Sequence, residues 1–263
     1  MLSLRQYGQC FDNHGQAICP VSESGGGAGV ATLTARHREV IVSQTKTRQR
    51  VRDLAEVYTH EREVTAMLDL VPDMFPSPDR PRDIGRTFLE PACGAGNFLV
   101  AILDRKLAYV KFGGLYRSVA TFETAVLRAL SSIYGIDIDP ENVEQSRQFL
   151  KADIAHHLKE NLNTISASEG FWTAVDAILS TNVIRADTLK DAQTIRLVEY
   201  HWQRKTGYVI REWSYLEEPA AQYDLFFDVR DQQQFDDTAA VHYSRLAGSA
   251  TPLAVDTCPG ATE

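Results

Sequence analysis

Thr87-Phe-Leu-Glu-Pro-Ala-Cys-Gly-Ala-Gly-Asn-Phe-Leu-Val100 is the stretch that decides the fold of this 263-residue chain. Phe88 and Leu89 read as a short apolar strand ending on Glu90. Pro91 to Gly96 read as a sharp turn, and Asn97 opens an amphipathic helix with Phe98, Leu99, Ile102 and Leu103 on its buried face. Glycines at 94 and 96 permit backbone angles that a side chain forbids, and they let a ligand approach the main chain. The helix start leaves N–H groups free to meet a carboxylate or phosphate. Glu90 can meet a cationic or hydroxyl group on the same ligand.

Downstream, Ser132-Ile-Tyr-Gly-Ile-Asp-Ile-Asp-Pro140 reads as a second strand with an acidic end. Asp139 can cap the following helix, with Pro140 at its first position. Asp137 then faces the ligand crevice, where a carboxylate can accept from both hydroxyls of a ribose; the other reading is a solvated strand end. Residues 141–162 form a long amphipathic helix with Val143, Phe149, Leu150, Ile154 and Leu158 inward. His156 and His157 read as surface residues near its C-terminus. A short helix from Ser168 to Leu179 leads to a third strand at Val183 and Ile184. Asp187 follows and can cap the next segment. Strands alternating with helices predict an α/β fold.

Upstream, residues 1–32 read as a disordered tail rich in glycine and serine. Residues 33–53 are basic, with Arg36, Arg38, Lys46, Arg48, Arg50 and Arg52. They form either a solvated face or an arm that contacts phosphates. A helix follows, with Thr59 as N-cap, Glu61 and Glu63 in its first turn, and Val64, Met67, Leu68 and Val71 as its core stripe. Prolines 72, 76, 78 and 81 mark a loop into the central strand. After the glycine elbow, Gly113-Gly114 breaks the chain, and Phe122, Ala125, Val126, Ala129 and Leu130 line one face of another helix.

The composition, 44% hydrophobic and 24% charged, suits one globular domain with a real core. No run of about 18 apolar residues or signal core is present, so no membrane span is expected. Four cysteines without a close pair argue against zinc and point to a reduced, cytoplasmic setting. No metal is expected. The formal net charge of −8 is low for unaided duplex binding.

Leu-Glu-Pro-Ala-Cys-Gly-x-Gly-Asn-Phe resembles motif I of the S-adenosylmethionine-dependent methyltransferases, and more narrowly that of the N6-adenine DNA methyltransferases of restriction–modification systems. Leu99 stands where the dinucleotide fingerprint needs its third glycine, which disfavours an NAD(P) oxidoreductase. Glu56-Val-Tyr-Thr59 resembles motif X, with His60 in place of the usual proline. Gly-Ile-Asp-Ile-Asp-Pro resembles motif II, and Arg185-Ala-Asp187 stands in the place of motif III. The resemblance covers residues 50–190. It implies a Rossmann-like methyltransferase sheet with helices on both faces, and S-adenosyl-L-methionine as cofactor. The binding residues it implies are Glu90, Ala92, Gly94, Gly96, Asn97 and Phe98 from the elbow. Thr59 would hold the methionine end, Asp137 the ribose, Ile138 the adenine face and Asp187 the adenine amine. DNA is the implied substrate, reached with a specificity or catalytic partner chain in a bacterial restriction–modification or defence system.

The family's amine-handling motif, Asp/Asn/Ser-Pro-Pro-Tyr/Phe, has no counterpart, because no Pro-Pro dipeptide occurs in the chain. The expected fourth strand, Tyr208–Tyr215, carries Glu212, Trp213, Ser214 and Tyr215 in a different order, and no catalytic residue is assigned. One further strand is expected at 223–229, within a methyltransferase-like domain of residues 33–229. Residues 230–263 read as a disordered tail. The substrate half is therefore abbreviated. The alternatives are an inactive methyltransferase-like binding module and a methyltransferase acting on a non-DNA substrate.

Overall fold

The computed structural model describes residues 59–163, 165–216 and 236–248, within one compact unit spanning Glu56–Glu263. The expectations for the tail 1–32, the arm 33–53, residues 56–58 and the strand at 223–229 lie outside the described residues.

Helix α1 (Glu61–Leu68) is followed by strand β1 (Phe88–Glu90), helix α2 (Asn97–Leu107) and helix α3 (Val119–Leu130). Strand β2 (Ile133–Asp137), helix α4 (Pro140–Leu162), helix α5 (Phe171–Asn182) and strand β3 (Val183–Arg185) come next. Strands β4 (Arg196–Trp202), β5 (Tyr208–Tyr215) and β6 (Val241–His242) precede a closing 3-10 helix, Tyr243–Gly248. Among the described residues the fold is mixed α/β with two three-stranded sheets. In the parallel sheet, ordered β1-β2-β3, Glu90 lies opposite Gly135 and Asp137 opposite Arg185. The crossovers that parallel neighbours require run through α2 and α3, then through α4 and α5.

β2 is the spine of the core. Ile133 to Ile136 are buried without alternation, as a central parallel strand covered on both faces requires. Leu99 and Leu103 of α2, Phe122 and Val126 of α3, Leu150 and Ile154 of α4, and Val175 and Ile178 of α5 complete the interior. Gly135 has no side chain because none fits. A Cβ there would stand 2.6 Å from Leu99 Cδ1 and 3.1 Å from Cys93 Sγ. Ser118 and Thr121 form a reciprocal capping box at the start of α3. Asp139 caps α4 by accepting from the Glu141 N–H, with Pro140 at the first position, as expected from the sequence.

Several local expectations need correction. α1 is N-capped by His60, not Thr59, and no side chain closes the cap. Met67 is half exposed, whereas Val64 and Leu68 are buried, so the core stripe is narrower than the pattern suggested. α5 starts at Phe171, because Gly170 takes a left-handed φ of 80° and Ser168–Gly170 become its lead-in turn. His157 is buried: Nε2 bonds the Val110 carbonyl at 2.8 Å, and the ring stacks on Phe122. Burial pushes its pKa down to about 4.

The largest difference concerns Tyr208–Tyr215. It does not extend the parallel sheet; it pairs antiparallel with β4 along seven residues, Val198 opposite Trp213. β4 itself escaped the sequence reading, although Val198, Tyr200 and Trp202 alternate with the exposed Glu199 and His201. This second sheet docks through polar clasps. Tyr134 Oη donates to the Val198 carbonyl (2.5 Å), Trp202 Nε1 donates to Ser131 Oγ (2.9 Å), and the Thr181 and Tyr200 hydroxyls meet at 2.7 Å.

Residues 236–248, inside the stretch read as a C-terminal tail, are also folded. Asp237 receives the buried Arg211 guanidinium, and Tyr243 and Leu246 are buried, the Tyr243 hydroxyl donating to Glu123 at 2.8 Å. The glutamine run before them hid these two apolar anchors. No helix among the described residues is long and apolar enough to cross a membrane.

Candidate functional site

The three parallel strands end on one edge of their sheet, at Glu90, Asp137 and Arg185. Ligands of open α/β sheets sit beyond such carboxyl ends. The elbow Pro91–Gly96 curls over this edge and is tied to β2 by the Cys93 N–H, which donates to the Ile136 carbonyl at 2.9 Å.

Gly94 is clamped at both its polar groups. Its N–H donates to Asp137 Oδ2 (2.8 Å), and its carbonyl accepts from Ser146 Oγ (2.9 Å). The two elbow glycines serve different ends. Gly96, at φ 89°, lies against Ser146, and a Cβ there would come within 2.8 Å of Oγ. Gly94, at φ 53°, faces open space, with no atom within 4 Å of where a Cβ would stand. Gly96 also N-caps α2, with no side-chain capping bond.

Asp137 is a hub of hydrogen bonds. Its Oδ1 accepts from the Asp139 N–H (2.9 Å) and from Asn142 Nδ2 (3.2 Å), so with Gly94 it takes three donors. A carboxylate has about four lone-pair directions, which leaves one for a ligand hydroxyl. Glu90 differs: it accepts only a long bond (3.3 Å) from the Ala92 N–H. Burial raises its pKa, the Ala92 bond opposing. A half-buried carboxylate so thinly served has room to accept a further donor or to pair with a cation. Burial, and then the Asp137 charge, push the thiol of Cys93, which lies between them, up to about 12, which disfavours the reactive thiolate.

The structure thus gathers Glu90, Ala92, Gly94, Gly96 and Asn97 in one turn, with Phe98 half-buried against the core behind it. Asp137 faces them, and Ile138, next in the chain, is 46% exposed, offering an apolar surface beside the edge. Thr59 joins through its carbonyl, which accepts from Asn97 Nδ2 at 3.4 Å. Asp187 stands apart in its own turn. Its Oδ1 accepts the Leu189 and Lys190 N–H groups, and its Oδ2 pairs with Lys190 Nζ at 3.1 Å. These bonds hold its pKa below the usual carboxylate range, the Lys190 side chain contributing most.

Asn142, Ser146 and Thr188 went unnoticed in the sequence. The available signal was a polar pair at i and i+4 on the buried face of α4, where Val143 and Leu150 mark the core. Among the described residues, no cluster of histidine, cysteine and carboxylate side chains could hold a metal ion. No protein-family model, no curated protein and no solved structure matches this chain.

Proposed function

We propose that this chain is an S-adenosyl-L-methionine-dependent methyltransferase of the N6-adenine DNA type, or the cofactor-binding subunit of one. The observation that carries the reading is the clamp between Gly94 and Asp137. It unites two motif-like stretches, 43 residues apart in sequence, at the ligand edge of a parallel sheet. The residues present fit the cofactor. The open face of Gly94 admits a close approach, Glu90 can receive an ammonium or sulfonium, and the remaining Asp137 lone pair can receive a ribose hydroxyl. Ile138 offers an apolar plate for the adenine.

When bound, the cofactor supplies a methyl group on a sulfonium, ready for in-line displacement. This chain's part is to orient it and exclude water; such positioning accounts for much of the rate in bimolecular transfers. The protein partner and the DNA substrate belong to the same proposal.

One observation favours the second reading, a methyltransferase-like module that binds cofactor without transferring methyl groups alone. The segment in which the amine-handling motif was expected, β5, lies in an antiparallel sheet, and the chain has no Pro-Pro dipeptide.

Calorimetric titration with S-adenosyl-L-methionine tests the shared pocket. Asp137→Ala should lose at least about tenfold in affinity, with a thermal melt confirming that it folds. Equal affinity in both proteins removes Asp137 from the site. Tritiated methyl transfer to unmethylated DNA, with and without the products of neighbouring genes, separates the two readings. Incorporation by the chain alone supports the enzyme, and incorporation only with a partner supports the subunit. Cofactor binding without incorporation in either arm leaves the binding module.

A further inference from the structure

We propose that Thr188 is a positioning residue of the elbow, holding the Pro91–Ala92 peptide plane so that Glu90 faces the cofactor; the role towards cofactor rests on the functional reading above. The hydroxyl of Thr188 donates to the Pro91 carbonyl at 2.7 Å, across 97 positions of sequence. The other end of that peptide plane, the Ala92 N–H, donates to Glu90 Oε1. Proline has no N–H, so the carbonyl is the one polar backbone group by which Pro91 itself can be held. If the Thr188 bond is lost, the plane can rotate, and Glu90 loses the donor that orients it.

The turn that carries Thr188 is built for aim. Ala186 N–H donates to the Asp137 carbonyl (3.1 Å), which seats the turn on the tip of β2. Asp187 then closes the turn on itself, accepting from Leu189 and Lys190 through its side chain and from Asp191 through its carbonyl at 2.7 Å. Burial does not hold this shape, for Leu189 at its tip is 96% exposed. The hydrogen bonds set it, and Thr188 is the side chain through which it reaches the elbow. Asp187 is thereby a builder of the turn, acting on the site through its neighbour.

The elbow is then held from three directions: by β2 through Asp137, by α4 through Ser146, and by the turn after β3 through Thr188. A loop restrained in its binding geometry loses less freedom when a ligand arrives, and affinity gains by that difference.

The test compares Thr188→Val, which keeps shape and removes the donor, with Thr188→Ser, which keeps the donor. Amide hydrogen exchange on the ligand-free protein should show faster exchange at residues 92–96 in Thr188→Val and wild-type protection in Thr188→Ser. Calorimetry should show affinity for S-adenosyl-L-methionine falling about three- to tenfold in Thr188→Val and recovering in Thr188→Ser. Thermal melts should stay close to wild type for both. Unchanged exchange at residues 92–96 in Thr188→Val, or equal impairment of the two variants, overturns the proposal. A wild-type protein that binds no cofactor sinks the functional reading instead, and the exchange comparison still decides whether Thr188 holds the elbow.

Discussion

Gly135→Ala is the sharpest test of how the elbow is seated. The added methyl carbon would stand 2.6 Å from Leu99 Cδ1, 3.1 Å from Cys93 Sγ and 3.3 Å from Cys93 Cβ. Carbon atoms pack at about 3.5–4.0 Å, so the Leu99 contact is too close by roughly 1 Å. Neither neighbour can yield easily. Leu99 is fully buried in the core, and Cys93 is fixed by its backbone bond to Ile136. Overpacking of this kind costs about 1–3 kcal/mol. For a unit of this size that lowers the melting temperature by roughly 3–10 °C. Urea denaturation followed by circular dichroism measures the loss. A second variant identifies its cause, since Leu99→Val withdraws the offending methyl. In that background Gly135→Ala should cost less by about 1 kcal/mol, a coupling that only neighbouring residues show. A Gly135→Ala protein within about 0.5 kcal/mol of wild type, with no coupling to Leu99, would refute the packing argument.

The two elbow glycines should respond differently to alanine. Gly96→Ala should destabilise by more than the roughly 1–2 kcal/mol of left-handed strain, because its Cβ also meets Ser146, whereas Gly94→Ala should carry the strain alone and lose affinity for S-adenosyl-L-methionine out of proportion to its melting temperature; melts and calorimetry on both proteins make the comparison. Lys106 is buried, with Nζ bonded to the Arg86 carbonyl and Ser132 Oγ, and burial holds its pKa down to about 7 against an ordinary value of 10.5. The unfolded chain therefore binds one more proton between those values, and stability should rise with pH across that window and fall as pH drops through 7. Lys106→Met should flatten that rise in urea titrations at a series of pH values. Asp237→Ala should cost about 3–5 kcal/mol, because it removes the carboxylate that pairs with the Arg211 guanidinium, whose side chain is 2% exposed; a loss below about 1 kcal/mol would mean that the pair behaves as a surface contact.

What could be read locally was read well. The elbow, the acidic end of β2, the Asp139 cap and the short third strand all depend on residues within a few positions of one another. Glycine angles, helix caps and apolar periods act over that range. Some errors were local, the His60 cap and the Gly170 turn each lying a residue or two from the expected helix start, but the larger ones came where the deciding contact was remote. His157 reads as surface until Val110 and Phe122 are folded against it. The C-terminal stretch reads as polar tail until Tyr243 finds Glu123, 120 residues away.

By itself the sequence determined that a glycine elbow joins a strand to a helix, that acidic residues follow the next two strands, and that these belong to a parallel α/β sheet. Only the tertiary structure decided that Tyr208–Tyr215 pairs with Arg196–Trp202 in a sheet of its own, and that Ser146 and Thr188 bond the elbow while Asn142 braces Asp137. A strand's pattern states which face is buried but not which neighbour will cover its edge. That choice depends on hydrogen bonds and close packing between residues the chain brings together only when folded.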